Sequence, residues 1–319
     1  MTNHSAVEEI VDAHHHLWDY DSPYGRYDLP ELLADTAGVD GVTETVFIDC
    51  GSNYRTEGPE ALKSVGETEW VAGRCDASDG GDAARIAAIV GHANLMLGAA
   101  VGQVLDAHID AGGGRFRGIR HSGARSGTPE VVSNRGEPPA DLYRRDEFVA
   151  GARQLCDRGL SFEAWQYHHQ LGEVVALARE VPDLQIVVNH LGGPIGVGVW
   201  AGRWDEVHSD LRRSYVDLAA CPNVWMKLGG IGMSRFGAVY RSGRPGAEEV
   251  AEVWGDTIRA AIDALGPDRC LFESNYPVDG QTIDYAVLWQ AFDLVSADYS
   301  PSERADLFAG SARRVYRLG

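Results

Sequence analysis

The chain has 319 residues, 44% of them apolar, which is enough to bury a large core as one big α/β unit or two smaller ones. A formal net charge of −19 excludes the clustered cations that nucleic acid or an anionic membrane surface would need. Cys50, Cys75, Cys156, Cys221 and Cys270 are odd in number and form no CxxC pair, so they read as buried, reduced thiols rather than a disulfide framework or a thiolate zinc site.

Residues 1–9 are polar and acidic, with no apolar leader core, and no apolar stretch is long enough to cross a bilayer. The expectation is a cytoplasmic, soluble protein. No Pro/Ser-rich spacer or repeat divides the chain, so residues 1–319 are expected to form a single domain.

In chain order, strand-like runs rich in Val, Ile, Phe and Trp fall at 10–16, 42–50, 70–76, 116–121, 160–167, 184–190, 223–228 and 269–275. Between them, helical spacing of apolar residues marks 82–92, 144–158, 172–180, 205–220 and 248–265. Alternation of this kind predicts a parallel sheet, and eight β/α units in this length fit a closed (β/α)8 TIM barrel. An open dinucleotide-binding sheet would need a Gly-rich fingerprint after its first strand, and there is none.

Polar residues collect where these strands end. In the first, Asp12-x-His14-x-His16 places an acid and two imidazoles at alternate positions, hence on one face, with Ala13, His15 and Leu17 on the other. Two imidazoles so placed can meet at one metal ion or one oxyanion. Further along come Asp49, Asp76, Arg120 beside His121, Glu163 to His169, Asn189-His190, Lys227, and Glu273-x-Asn275. Catalytic groups of such barrels lie at the C-terminal ends of the strands.

Each of these residue types has its own chemistry. Arg120 can grip a carboxylate with its bidentate fork. Lys227 is one of only two lysines and lies in an apolar run, where a lysine readily shifts its pKa and serves as acid, base or charge partner. Trp18 and Tyr276, with Trp165, are expected to wall the pocket, and His168 with Gln170 to donate to substrate. The long Gly- and Arg-rich segments 122–141 and 229–246 read as lids over it.

Taken together, Asp12-x-His14-x-His16-x-Trp18, Arg117-Gly118-Ile119-Arg120, Asn189-His190-Leu191-Gly192-Gly193-Pro194 and Phe272-Glu273-Ser274-Asn275-Tyr276-Pro277 resemble the amidohydrolase superfamily. The branch is amidohydrolase-2, which includes sugar-acid lactonases and 2-pyrone-4,6-dicarboxylate lactonase. The resemblance implies a hydrolase of a lactone, ester or amide of a small acidic molecule, with His14, His16 and His190 holding a divalent ion such as zinc or manganese. It equally leaves open a metal-free route, in which the same histidines donate to the substrate carbonyl. It further implies an aspartate as general acid/base where this chain has Asn275. An amide cannot take a proton from water, so Glu273, on the same face, or Asp279 would have to carry the missing carboxylate; Glu273 would act as ligand, as base, or as an ion-pair partner. Non-oxidative decarboxylation of an aromatic or enol acid is the alternative reaction, and silent binding of a small acid the third reading. The expected partner is a small acidic substrate, with a homo-oligomer also open.

Overall fold

The computed structural model describes residues 8–80, 83–129, 131, 136–241 and 243–319. Among them, eight strands pair in parallel and in sequence order: β1 (Ile10–His15), β2 (Val42–Ile48), β3 (Arg85–Gly91), β4 (Phe116–Arg120), β5 (Ser161–Ala164), β6 (Ile186–Val188), β7 (Val224–Leu228) and β8 (Cys270–Phe272). The sheet closes just beyond the strand ends. Asn275 N donates to His14 O at 2.8 Å and His16 N to Tyr276 O at 2.8 Å, with a parallel bridge between His15 and Tyr276. The backbone that completes the (β/α)8 barrel is therefore the same backbone that carries the site residues of the first and last strands.

A helix follows each strand: α1 (Leu29–Ala37), α2 (Val65–Ser78), α3 (Gly102–Ala111), α4 (Asp146–Cys156), α5 (Leu171–Glu180), α6 (Trp204–Ala219), α7 (Ala247–Leu265) and α8 (Tyr285–Val295). Local signals explain them. At α1 an Asp28/Glu31 capping box satisfies the first backbone N–H groups. Along α7 the buried Val250, Trp254, Ile258, Ala261 and Leu265 recur every three or four residues and face the sheet. No helix among the described residues is long and apolar enough to cross a membrane.

Two features differ from the expectation. The run 70–76 lies in α2, and β3 lies inside the segment 82–92 expected to be helical. In α2 the buried Thr68, Val71, Cys75 and Ser78 follow helical spacing while Glu69 and Asp76 are exposed, so Asp76 is no strand-end residue. The Ala-rich β3 is buried on both faces, and this removes the polar alternation by which a strand is recognised.

The second difference is in β1, where a register shift against β2 between Asp12 and His15 breaks the simple alternation. Asp12 leaves the site face and points outward, accepting from Ser274 N at 2.8 Å and from the α8 residue Tyr285 at 3.0 Å. His15 also points outward, with Nε2 3.0 Å from Thr45 Oγ1.

Inside the barrel, the lower layer is apolar. Val11, Ala13, Val46, Ile48, Ala88, Val90, Val187 and Leu271 pack on Ala312, Val315 and Tyr316 of the C-terminal helix (Ser311–Tyr316). That floor leaves only the opposite end of the barrel open to substrate.

Candidate active site

Strand alternation turns Arg120, Glu163, Lys227 and Glu273 into the barrel, because their neighbours Ile119, Phe162, Met226 and Phe272 belong to the outer core. His14 and His16 join them from β1 and its exit, and His190 from the turn after β6. His14 Nε2 and His16 Nε2 lie 3.2 Å apart, with His16 Nδ1 2.7 Å from the Ile48 carbonyl. Glu273 lies between two rings: Oε1 is 2.6 Å from His190 Nδ1, and Oε2 is 2.8 Å from His14 Nδ1 but out of line for a full hydrogen bond.

A second buried pair supports this group from below. Lys227 Nζ lies 3.0 Å from Glu163 Oε2 and 3.3 Å from His14 Nδ1, with both charged side chains fully buried. Asn189 Nδ2 and the Tyr316 hydroxyl both donate to Glu163. Arg120 donates to the Asp49 carbonyl and brings Nη1 to 3.3 Å from His14 Nε2.

Burial dominates the electrostatics. It holds His14, His16 and His190 well below the usual imidazole value, helped by the charges of Lys227 and Arg120, so all three rings are neutral near pH 7. The Glu273 carboxyl is pushed up to about 8 by burial, against the opposing pull of Lys227. Lys227 is lowered, again by burial first, with Glu163 and Glu273 opposing.

Above this cluster opens a cavity of about 350 Å³. His16, His190, Arg120 and Asn275 form its base, with Trp18, Tyr20, Tyr24 and Trp165 among its walls. Trp18 and its neighbours come from a two-stranded ribbon, Trp18–Ser22 paired with Gly25–Tyr27. The two long segments supply Ser122, Met233 and Arg235. Within them, residues 130, 132–135 and 242 lie outside the described residues.

Asn275 sits where the eighth strand meets the cavity, its amide donating to Asp279 Oδ1 at 2.7 Å. Asp279 lies behind it, also accepting from Gly232 N at 2.9 Å, and burial raises its carboxyl well above the usual range. It therefore orients the amide and does not take the place of a carboxylate in the cavity.

Other expected pocket residues are placed elsewhere. Tyr276 packs against Tyr27 and Tyr285 and donates to the Ile283 carbonyl at 2.7 Å. His168 is buried against Trp200, with ring centroids 4.6 Å apart, and Gln170 ties Gly123 and Arg125 to the start of α5. Each stands close in sequence to a strand end, but the turns after β5 and β8 rotate these side chains away. Arg235 and Tyr316 went unmarked in the sequence. The first had a weak signal in the Arg-rich 229–246 segment; the second had none, since its partner Glu163 is 153 residues away.

The donor set suits a borderline divalent ion. The imidazoles are neutral, and His14 Nε2 and His16 Nε2 lie 3.2 Å apart, about the span of two ligands on one ion; His14, His190 and Glu273 also bring ligand-type atoms within 4.8 Å of one another.

A barrel with histidines from its first and sixth strands grouped at the C-terminal rim defines a class of (β/α)8 proteins with a His-rich polar centre. The family profile described as Amidohydrolase matches residues 11–318, and the chain belongs to that family. It is 31% identical to the uncharacterized protein y4mH of Sinorhizobium fredii, over 97% of this chain and 98% of that one. It is also 27% identical to an L-fucono-1,5-lactonase of Burkholderia multivorans, over 97% of this chain and 96% of the relative. Among solved structures, an amidohydrolase from Burkholderia multivorans with bound zinc superposes with a TM-score of 0.74 at 22% identity, covering 98% of this chain and all of its own, 100%.

Proposed function

We propose that the protein hydrolyses a lactone, or a related ester or amide, of a small carboxylated molecule, assisted by a divalent ion of the zinc or manganese class. The observation that carries this reading is the composition of the cavity. Its lining contains Arg120, Arg235 and two neutral histidines but no Asp or Glu among the described residues, in a chain of net charge −19. Such a lining favours an anion. The lactonase relative supports the reaction class, and the zinc carried by the structural relative supports the cofactor.

His14, His16 and His190 would hold the ion, which when bound would polarise the scissile carbonyl and lower the pKa of an attacking water. Arg120 and Arg235 receive the substrate carboxylate, and a guanidinium fork fixes its orientation as well as its charge. Trp18 and Trp165 exclude bulk water, which strengthens these contacts. Asn275, held by Asp279, presents an amide that orients a water or leaving oxygen but takes no proton.

The test is a panel of sugar-acid lactones and carboxylated aryl esters, assayed with the purified protein after chelation and after reloading with Zn²⁺ or Mn²⁺. Ring opening or ester cleavage that returns with the metal is the expected result. Release of CO₂ from hydroxybenzoates without hydrolysis would replace the proposal with decarboxylation. Saturable binding of acids without turnover of any panel member would overturn both.

A further inference from the structure

Glu273 is fully buried and does not line the cavity, whereas His16 and His190 do. Its two oxygens lie 2.6 Å and 2.8 Å from the Nδ1 atoms of His190 and His14. The first is a hydrogen bond, and the second has the length of one but is out of line. Two ligand atoms on one tetrahedral ion with bonds of about 2.0 Å would stand about 3.3 Å apart. That wider span occurs elsewhere, between His14 Nε2 and His16 Nε2 at 3.2 Å.

The protons can be placed from the partners. A carbonyl only accepts, so His16, with Nδ1 2.7 Å from Ile48 O, carries its proton on Nδ1 and leaves Nε2 bare. A guanidinium only donates, so Arg120 Nη1 at 3.3 Å from His14 Nε2 likewise requires that nitrogen to be bare. Lys227 Nζ, which also only donates, lies at the same 3.3 Å from His14 Nδ1, so the two cations pull the single proton of this ring in opposite directions. The Glu273 carboxylate, nearer to Nδ1 at 2.8 Å though out of line, decides between them in favour of a proton on Nδ1, and the Lys227 ammonium is directed to Glu163 at 3.0 Å.

The backbone is shaped around the same contacts. A Cβ at Gly229 would lie 2.4 Å from Glu273 Cγ, and one at Gly230 would lie 2.5 Å from His190 Nδ1. Gly230 also has φ +68°, a conformation that glycine adopts without strain. The end of β7 therefore has room for the carboxylate and its histidine only because both residues lack side chains.

We propose that Glu273 is a shared positioning residue that keeps the protons of His14 and His190 on Nδ1. The bare Nε2 atoms of His14 and His16, 3.2 Å apart, are then left to a borderline divalent cation with the His190 ring beside them, its centroid 4.6 Å from that of His14, and the carboxylate takes no place at the cation. An outer carboxylate that fixes the tautomer of a ligand histidine is a known way of tuning such sites. Here one carboxylate serves two rings. The inference rests on the metal-assisted reading for its purpose, but not on any reaction.

The experiment is ¹⁵N NMR of histidine-labelled protein at pH 9, with His14→Gln and His190→Gln for assignment. The wild type is expected to show His14, His16 and His190 protonated on Nδ1 and bare on Nε2. Glutamine has a single acceptor oxygen, so Glu273→Gln should shift one of His14 and His190 to the other tautomer. It should also weaken Zn²⁺ and Co²⁺ binding about 10- to 100-fold, while the visible spectrum of the Co²⁺-saturated variant keeps the wild-type coordination number. A bare Nδ1 on His14 or His190 in the wild type, or a changed Co²⁺ coordination number in Glu273→Gln, would overturn the proposal and make Glu273 a ligand. Should the variant not fold, the wild-type tautomers still decide. None of these readings needs turnover, so failure of the lactone panel would leave them unaffected.

Discussion

Toward the N-terminal ends of the strands the barrel interior is filled by Val, Ile, Ala and Leu packed on the C-terminal helix; toward the C-terminal ends it is filled by three histidines, Arg120 and Glu273. Both layers are built from the same inward-facing strand positions and both are buried. The apolar layer is stable through burial alone, since removing apolar surface from water is favourable without any partner. The polar layer is stable only as a set, because each ring and charge must find a donor or acceptor. Glu163 and Lys227 mark the boundary, with Tyr316 reaching up from the floor to Glu163. Stability is thus expected to reside below that boundary and activity above it.

The largest expected effect comes from the upper layer. His190→Ala should lower kcat/KM by about 10³, within the range for removing a group that acts in the transition state, while the midpoint of thermal unfolding stays near wild type. A fall in that midpoint comparable to a floor variant such as Leu271→Ala would break the comparison. At the boundary, Lys227→Met leaves Glu163 buried without its cation and should cost about 3–5 kcal/mol in urea unfolding. Adding Glu163→Gln to that variant should return part of the loss; if it returns none, the two groups are not coupled.

The helix layer outside the barrel provides a control through pH. Burial holds the His108 imidazole at about 4 instead of 6.5, with Thr68 Oγ1 2.8 Å from its Nδ1. Below pH 6.5 the unfolded chain binds a proton that the folded chain refuses, so this contribution is whole above pH 6.5 and is lost as pH falls toward 4. At about 1.36 kcal/mol per pKa unit the loss amounts to about 3 kcal/mol. The decline in unfolding free energy over that range should be shallower in His108→Gln, and an unchanged slope would remove His108 from the account.

The smallest effect belongs to the cavity rim. Arg235 is half-buried and already lies 3.4 Å from the Tyr167 hydroxyl. Arg235→Ala should raise KM for a carboxylated substrate about tenfold, roughly 1.4 kcal/mol, with kcat little changed. An equal increase for an uncharged analogue would show that the residue shapes the wall and does not read the carboxylate.

Much of this organisation is legible in the sequence. The order of β/α units implies the barrel, and the rule that polar groups collect at strand ends brings His14, His16, Arg120, His190, Lys227 and Glu273 to one end. Local periodicity fails in two places. Around Val71 and Cys75 in α2 the apolar run is too short for helical and strand spacing to be told apart, and in β3 burial of Ile86 to Val90 on both sides erased the polar face that marks a strand. In β1 the register shift between Asp12 and His15 moved Asp12 out of the site, since a slip of one residue reverses which face a side chain takes.

What the sequence by itself determined is the class of fold, the rim on which chemistry is placed, and the residue types available there, because side-chain alternation and strand order are local properties of the chain. Only the tertiary structure decided the partners. Glu273 meets two histidines 83 and 259 positions away, and Lys227 meets Glu163, because barrel closure juxtaposes strands that sequence spacing leaves independent. Tyr276, His168 and Gln170 turn away for the same reason: the path of a turn, not the proximity of a residue to a strand end, sets where its side chain points.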